Sequence, residues 1–395
     1  MVEATDARLK MVDVYKGFTI MAIVIVHLAL LSLINRDATS AVETVADSST
    51  PGMMSLILET IYLGLMSFFF ISGYFYRPGR GFAINMGKRA KYILASLLIC
   101  ALTIPLILYA YATILGLDPG IQSLIDGLLQ SLGLHGAFQA SDFPLYSPLC
   151  SGSVGYYYLW TMLLSFIVFY GLADRVYGDL KKEIAVIAIL LVLGCIYYET
   201  IDLRLPFYAQ LTFIGTACMF LGMVLSERKV LERISAPKPF RWSYPAGFIV
   251  CLLSAVVLVY FFHPGMSLDE SFYGEYGGYS IFTYFAEASL MFIVYAYIMF
   301  FFSKIPGLSK FLSELGQHTL GILLLHLFVS RLLLMPFFTY SGRVIPEADF
   351  MILLPMAFVT LIICYLICKF GPRILKGLIN RIRGGEGSGA VQGKE

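Results

Sequence analysis

Charge is what this chain lacks. Only 14% of its 395 residues are Asp, Glu, Lys or Arg, against 58% hydrophobic. A soluble globular domain carries about 25% charged residues, so this surface cannot be mostly water-facing. That excludes a cytosolic enzyme, a disordered chain and a nucleic-acid binder together. Trp is scarce at 2 residues, although Phe (31) and Tyr (26) are abundant, as expected where helices meet headgroups. Seven Cys, mostly inside apolar runs, form no disulfide framework; Cys150 alone sits in a polar loop. There is no Walker A loop, no HExxH and no Cys/His cluster with zinc spacing. Nothing therefore calls for nucleotide hydrolysis or a bound metal.

What is present is a series of long apolar runs, the signature of a polytopic membrane protein. A spanning helix needs about 20 apolar residues. Ten runs lie near 18–35, 54–75, 92–115, 156–173, 184–198, 208–226, 244–262, 281–303, 315–334 and 350–370. They predict an all-α bundle of about ten transmembrane helices, with the short fifth run and its tight link to the sixth also open to a non-crossing hairpin. Cytoplasmic loops accumulate Lys and Arg. With the N-terminus inside, all but Arg36, Arg204, Arg331 and Arg343 of the 28 Lys and Arg lie on the inner face. Both termini are then cytoplasmic, in the plasma (inner) membrane. A cleaved signal peptide fits poorly, because the small residues Ala38–Ala41 lie well past the end of the first run. Residues 1–380 read as one membrane-embedded domain, and the Gly-rich 381–395 as a disordered cytoplasmic tail. No repeat of 20–50 residues and no Gly/Pro-broken helix pair in matching halves is visible, which are the pointers to an inverted-repeat transporter.

An ionisable group in a membrane helix is expensive and is a functional candidate by default. Lys16 and His27 lie eleven residues apart in the first run. At about 100° per residue they fall about 20° apart on one face, with a rise of roughly 16 Å. Asp13 lies about 40° from His27 on the same stripe. A cation thus waits at the rim with an imidazole near mid-membrane above it. The alternative is a packing histidine with a snorkelling Lys16. Arg77, Arg80, Lys88, Arg89 and Lys91 crowd the next inner loop. Singly they obey the positive-inside rule; together they suit a polyphosphate. Late in the chain, His318 falls near the inner interface and His326 deeper.

Three separated segments resemble the acyltransferase-3 family of integral-membrane transferases. Asp13, Lys16, Gly17 and His27 fit its first-helix spacing. Gly64, Phe68, Phe69, Ser72 and Gly73 fit its second-helix pattern. Leu315, Gly316, Thr319, Leu320 and His326 fit a late pattern ending in His, and Leu159-Trp160 looks like the family's Leu-Trp segment. The similarity spans residues 8 to about 330. Departures at Met66, Ala95 and Leu323 bear on the subfamily.

The resemblance implies transfer of an acyl group, usually acetyl, from cytoplasmic acetyl-CoA to a hydroxyl of an extracytoplasmic glycan. Acetyl-CoA is then a donor substrate, and no cofactor is bound. Lys16, Arg77, Arg80, Lys88 and Arg89 would hold its phosphates. His27 would act as base or as a transiently acylated nucleophile, with Asp13, Ser72 and His326 in support. Burial favours the neutral imidazole that a base requires. The acceptor would approach from the outer loops, where acidic and aromatic residues mix, with Asp142, Trp160 and Glu275 as its candidate ligands. An ordinary acidic loop with interfacial Tyr explains the same residues about equally well. Partners are thus the acyl-CoA, a hydroxyl acceptor and membrane lipid, with no nucleic acid. The alternative is a transporter or exporter of a polysaccharide or small solute; a sensory or scaffold domain is the weakest reading.

Overall fold

In the computed structural model the chain is described over residues 2–34, 64–116, 120–134, 156–201, 205–235, 243–262, 280–341 and 350–385. Every regular element there is helical. In order they are α1 (Val2–Ile34), a 3-10 turn (Gly64–Met66) leading into α2 (Ser67–Tyr74), α3 (Phe82–Ile114), α4 (Gly120–Ser131), α5 (Tyr156–Val176) and α6 (Leu180–Thr200). A second 3-10 turn (Pro206–Leu211) leads into α7 (Thr212–Glu227), followed by α8 (Val230–Ser235), α9 (Ser243–Phe262), α10 (Ser280–Phe302), α11 (Pro306–Gln317), α12 (Thr319–Ser341) and α13 (Phe350–Gly385).

Each of the ten apolar runs is mostly helical where it is described. Among the described residues, five helices are long and apolar enough to cross a membrane, six if a bent pair counts as one span. The count of about ten expected from the sequence is not reached by that test. α13 continues through Gly385, five residues into the stretch 381–395. One boundary is corrected. The single helix expected over 315–334 is two helices, α11 and α12, bent by 84° across His318. This broken pair is one that the pattern of Gly and Pro does not mark. Leu315 and Gly316 belong to α11, and the Thr319 hydroxyl donates back to the Gly316 carbonyl at 2.7 Å.

Which faces meet lipid follows from burial. Ile99, Leu102, Leu106 and Ile107 of α3 and Ile184, Ile189 and Ile196 of α6 are exposed. Such stripes in water would drive aggregation, but hydrocarbon is their matching solvent. The interior is built around α1 and α7, whose Val14, Ile20, Val24, Leu28, Ala217, Met219, Phe220 and Met223 are buried.

Two crossings bring backbones into contact through reciprocal glycines. A Cβ on Gly17 would fall on the Leu312 carbonyl, and one on Gly316 would fall on the Asp13 carbonyl. Likewise Gly73 abuts Met219, and Gly222 abuts Phe70. Small residues let membrane helices approach closely, where packing replaces the hydrophobic drive between helices. Three of the four are therefore motif glycines with a packing role. The Tyr15 hydroxyl then ties three helices together, reaching Ser67 of α2 at 2.8 Å and the Phe292 carbonyl of α10 at 3.3 Å.

At the rim, the corner between α5 and α6 turns on Gly178 (φ 82°). Its N–H donates to Glu183 Oε1 at 3.0 Å and to Glu227 Oε1 at 3.1 Å. Burial, then the neighbouring Glu227, push the Glu183 carboxyl up to about 7. A carboxyl raised in the folded state binds its proton more tightly there than in the unfolded chain. Its contribution to stability is full below the ordinary value of 4.5 and is lost as pH rises towards 7. Glu183→Gln is expected to remove that part of the pH dependence and to raise thermal stability relative to wild type above pH 7. Parallel wild-type and variant melting curves between pH 4.5 and 8 would contradict the assignment.

Candidate functional site

α1 carries His27 up the middle of the bundle, and α12 brings His326 to it. The means is the bend at His318. α11 crosses α1 at Gly17 and Gly316, and α12 then turns to run beside α1. Ten residues separate Gly17 from His27 and Gly316 from His326, so the two histidines meet at one level. His27 Nδ1 lies 2.8 Å from His326 Nε2, and both residues are buried (7% and 0% exposed). Their ring planes differ by only 22°, with centroids 5.0 Å apart, the separation of two imidazoles bonded edge to edge.

The network determines which nitrogens hold protons. His326 Nδ1 lies 2.8 Å from the Leu323 carbonyl and 3.1 Å from the Ile322 carbonyl. Carbonyls only accept, so His326 Nδ1 carries the hydrogen and Nε2 of the neutral ring is the acceptor. His27 Nδ1 must then donate to it. In neutral His27 the lone pair is left on Nε2, the atom a general base or nucleophile uses. The second histidine is the partner described for this ring through Nδ1. The Tyr156 hydroxyl of α5 donates to the Leu324 carbonyl at 3.1 Å, bracing the turn of α12 that presents His326.

Lys16 and Asp13 lie near the Gly17 crossing, half-buried, as an ion pair of 3.4 Å. The stripe expected on α1 is present, and Asp13 pairs with Lys16 rather than with His27. Arg77 and Arg80 are exposed in the turn between α2 and α3. That turn is stapled to α5 by Asp174, which accepts from the Tyr76 hydroxyl and from the Gly79 N–H. Lys88 and Arg89 follow in α3, where only their backbone is described. Ser72 is half-buried on α2, beside the Gly73 crossing. Trp160 is buried in α5, its indole N–H donating to the Ser131 carbonyl at 3.2 Å. Asp142 and Glu275 lie outside the described residues.

Besides Glu183, the buried charged groups outside the sequence candidates are Glu287 and Arg331 among the described residues. Glu287 lies inside α10, 1% exposed, and an acid within the run 281–303 was the available signal. Arg331 is 6% exposed within α12, five residues past His326. Its guanidinium takes protein neighbours that a one-dimensional charge count cannot see. Among the described residues, no group of three or more His, Cys, Asp or Glu is placed to hold a metal ion.

The family model described as an acyltransferase domain, that of the acyltransferase-3 family, matches residues 10–369. No curated protein and no solved structure matches the chain. The match takes in nearly the whole chain, and the protein belongs to that family of membrane acyltransferases.

Proposed function

We propose that this acyltransferase moves an acetyl group from cytoplasmic acetyl-CoA to a hydroxyl of an extracytoplasmic glycan, with His27 as the general base. The observation that carries this reading is the His27–His326 hydrogen bond and the tautomer it enforces. A sugar hydroxyl is a poor nucleophile at neutral pH. His27 Nε2 takes its proton as the oxygen attacks the thioester carbonyl. The C–S bond breaks, and the imidazolium returns the proton to the departing thiolate of coenzyme A. His326 Nε2, an acceptor, steadies the positive ring between those events. Direct transfer needs no further group; a transiently acylated His27 is the two-step form of the same chemistry.

The donor is anionic and cannot cross the bilayer. The Arg77–Arg80 turn, with Lys16, Lys88 and Arg89, supplies the cations to hold its phosphates at the inner rim. From Lys16 to His27 the rise is about 16 Å, a span suited to an extended thiol arm. The same charge asymmetry supports both termini inside.

The test is mass spectrometry of envelope glycans from cells with and without the protein. The expected result is a gain of one acetyl mass on a glycan, present only with the protein and absent with His27→Gln. Substrate flux in proteoliposomes lacking any acyl donor would favour the exporter reading instead.

His326 is a positioning residue in this scheme, and its substitution separates that role from a structural one. His326→Ala removes the acceptor that holds the His27 tautomer. We expect kcat to fall by about ten-fold or more with KM for acetyl-CoA little changed. His326→Gln, whose amide oxygen can accept from His27 Nδ1, is expected to recover part of the loss. Equal loss in both variants, or a rise in KM alone, would refute the positioning role.

A further inference from the structure

We propose that the Phe207–Tyr208 turn, backed by Trp160 and Tyr157, is a stacking platform for the pyranose ring of the acceptor. This rests on the acyltransferase reading above and deepens it by naming a recognition element for the acceptor.

The turn is strained. Phe207 (φ 59°, ψ 20°) and Tyr208 (φ 53°, ψ 40°) are consecutive and both left-handed. Bulky L-residues rarely adopt that region, because Cβ crowds the following carbonyl. Glycine would take these dihedrals without penalty. The surroundings hold the turn in place. The Phe207 N–H donates to the Gly133 carbonyl at 2.6 Å, and the Leu205 N–H donates to Gln210 Oε1 at 3.2 Å. Gly133, itself at φ 72°, lets Trp160 and Phe207 close over it.

What the strain achieves is the placement of rings. Phe207 lies 4.8 Å from the Trp160 ring, and Tyr208 lies 5.5 Å from the Tyr157 ring. Phe207 and Tyr208 are half-buried, while Trp160 and Tyr157 beneath them are buried. A pyranose offers a face of polarised C–H bonds ringed by hydroxyls. Aromatic faces are electron-rich and attract such hydrogens. The position fits an acceptor. Tyr157 and Trp160 lie in the first turns of α5, next to Tyr156, which bonds α12 two residues before His326. The basic turn is bound to Asp174 at the far end of α5, about 21 Å along the helix from Trp160 and about 26 Å from Tyr157. Donor cations and aromatic platform thus occupy opposite ends of the same helix.

The chain has two tryptophans, Trp160 and Trp242, so Trp242→Phe leaves Trp160 as the one indole reporter. The full-length W242F protein in nanodiscs is titrated with the methyl glycosides of glucose, galactose, mannose and N-acetylglucosamine, with open-chain sorbitol as control. The expected result is a saturable change in Trp160 emission with at least one pyranoside and none with sorbitol. Phe207→Gly and Tyr208→Gly accept the same dihedrals without strain, which offsets part of the lost ring packing, so the protein still folds while pyranoside affinity falls at least ten-fold. Phe207→Asn, which also tolerates the left-handed region, repeats the test. No saturable change with any pyranoside, or affinity unchanged in all three variants, overturns the platform. Pyranoside binding without protein-dependent acetylation of envelope glycans would overturn the acyl-transfer reading and leave the platform standing. Acetylation that proceeds normally in the Gly variants would do the reverse.

Discussion

His27→Gln is expected to lower acyl transfer by about 10²–10⁴-fold while leaving the fold intact. Gln is the informative substitution because its amide N–H can still donate to His326 Nε2. Ala would instead strand that acceptor inside the bundle, at a cost of about 1–3 kcal/mol, and confuse lost chemistry with lost stability. Gln keeps the bond and has no basic nitrogen, so the hydroxyl proton has nowhere to go. Acetyl-CoA binding should hardly change, since Lys16, proposed to hold its phosphates, lies about 16 Å below the ring. The measurement is transfer rate at saturating donor, beside a melting curve and donor binding for the same preparation. A His27→Gln protein that inserts, melts like wild type and still transfers acetyl at the wild-type rate would sink the catalytic assignment. Loss of donor binding with intact chemistry per bound donor would move His27 to a binding role.

The largest stability effect is expected at the crossing of α1 and α11. Gly17→Ala puts a methyl onto the Leu312 carbonyl and within 3.1 Å of the Gly316 amide nitrogen. Those atoms are backbone and cannot rotate away, so the helices must separate. Overpacking against movable side chains costs about 1–3 kcal/mol; here about 3 kcal/mol or more is expected. The displacement also carries α12 away from α1, so the His27–His326 bond lengthens and activity falls with stability. Gly316→Ala should act the same way from the other helix, through the Asp13 carbonyl. Gly307→Ala, in α11, is the control, because a Cβ there meets nothing within 4 Å. It should be neutral or slightly stabilising through helix propensity. Thermal melts in detergent decide the matter. Gly17→Ala and Gly307→Ala melting together would mean the crossing is looser than described.

The same crossing accounts for much of the motif that the sequence displays. Gly17, Gly73 and Gly316 sit in patterns that resemble a family of transferases, and each lies where a second backbone passes. Among the first-helix matches, Lys16 and His27 are the ones to which the proposed function gives chemistry. The neighbouring Asp13 spends its charge on Lys16. The basic turn owes its setting to Asp174 on a helix more than ninety residues later, through the Gly79 N–H at 3.0 Å.

By itself the sequence determined the solvent, the helices and one face of one of them. Apolar run length and charge scarcity are properties of the chain in one dimension, and so is the 3.6-residue period that aligns Lys16 with His27. The tertiary structure alone decided what faces what. That His326 meets His27 across 299 residues depends on an 84° bend at His318 and on two glycines at a crossing. The left-handed pair Phe207–Tyr208 contradicts local preference outright and exists because distant groups hold it. Local periodicity is written in neighbours; pairing, tautomer and strain are set by free energies shared among segments far apart in the chain, which no window along it contains.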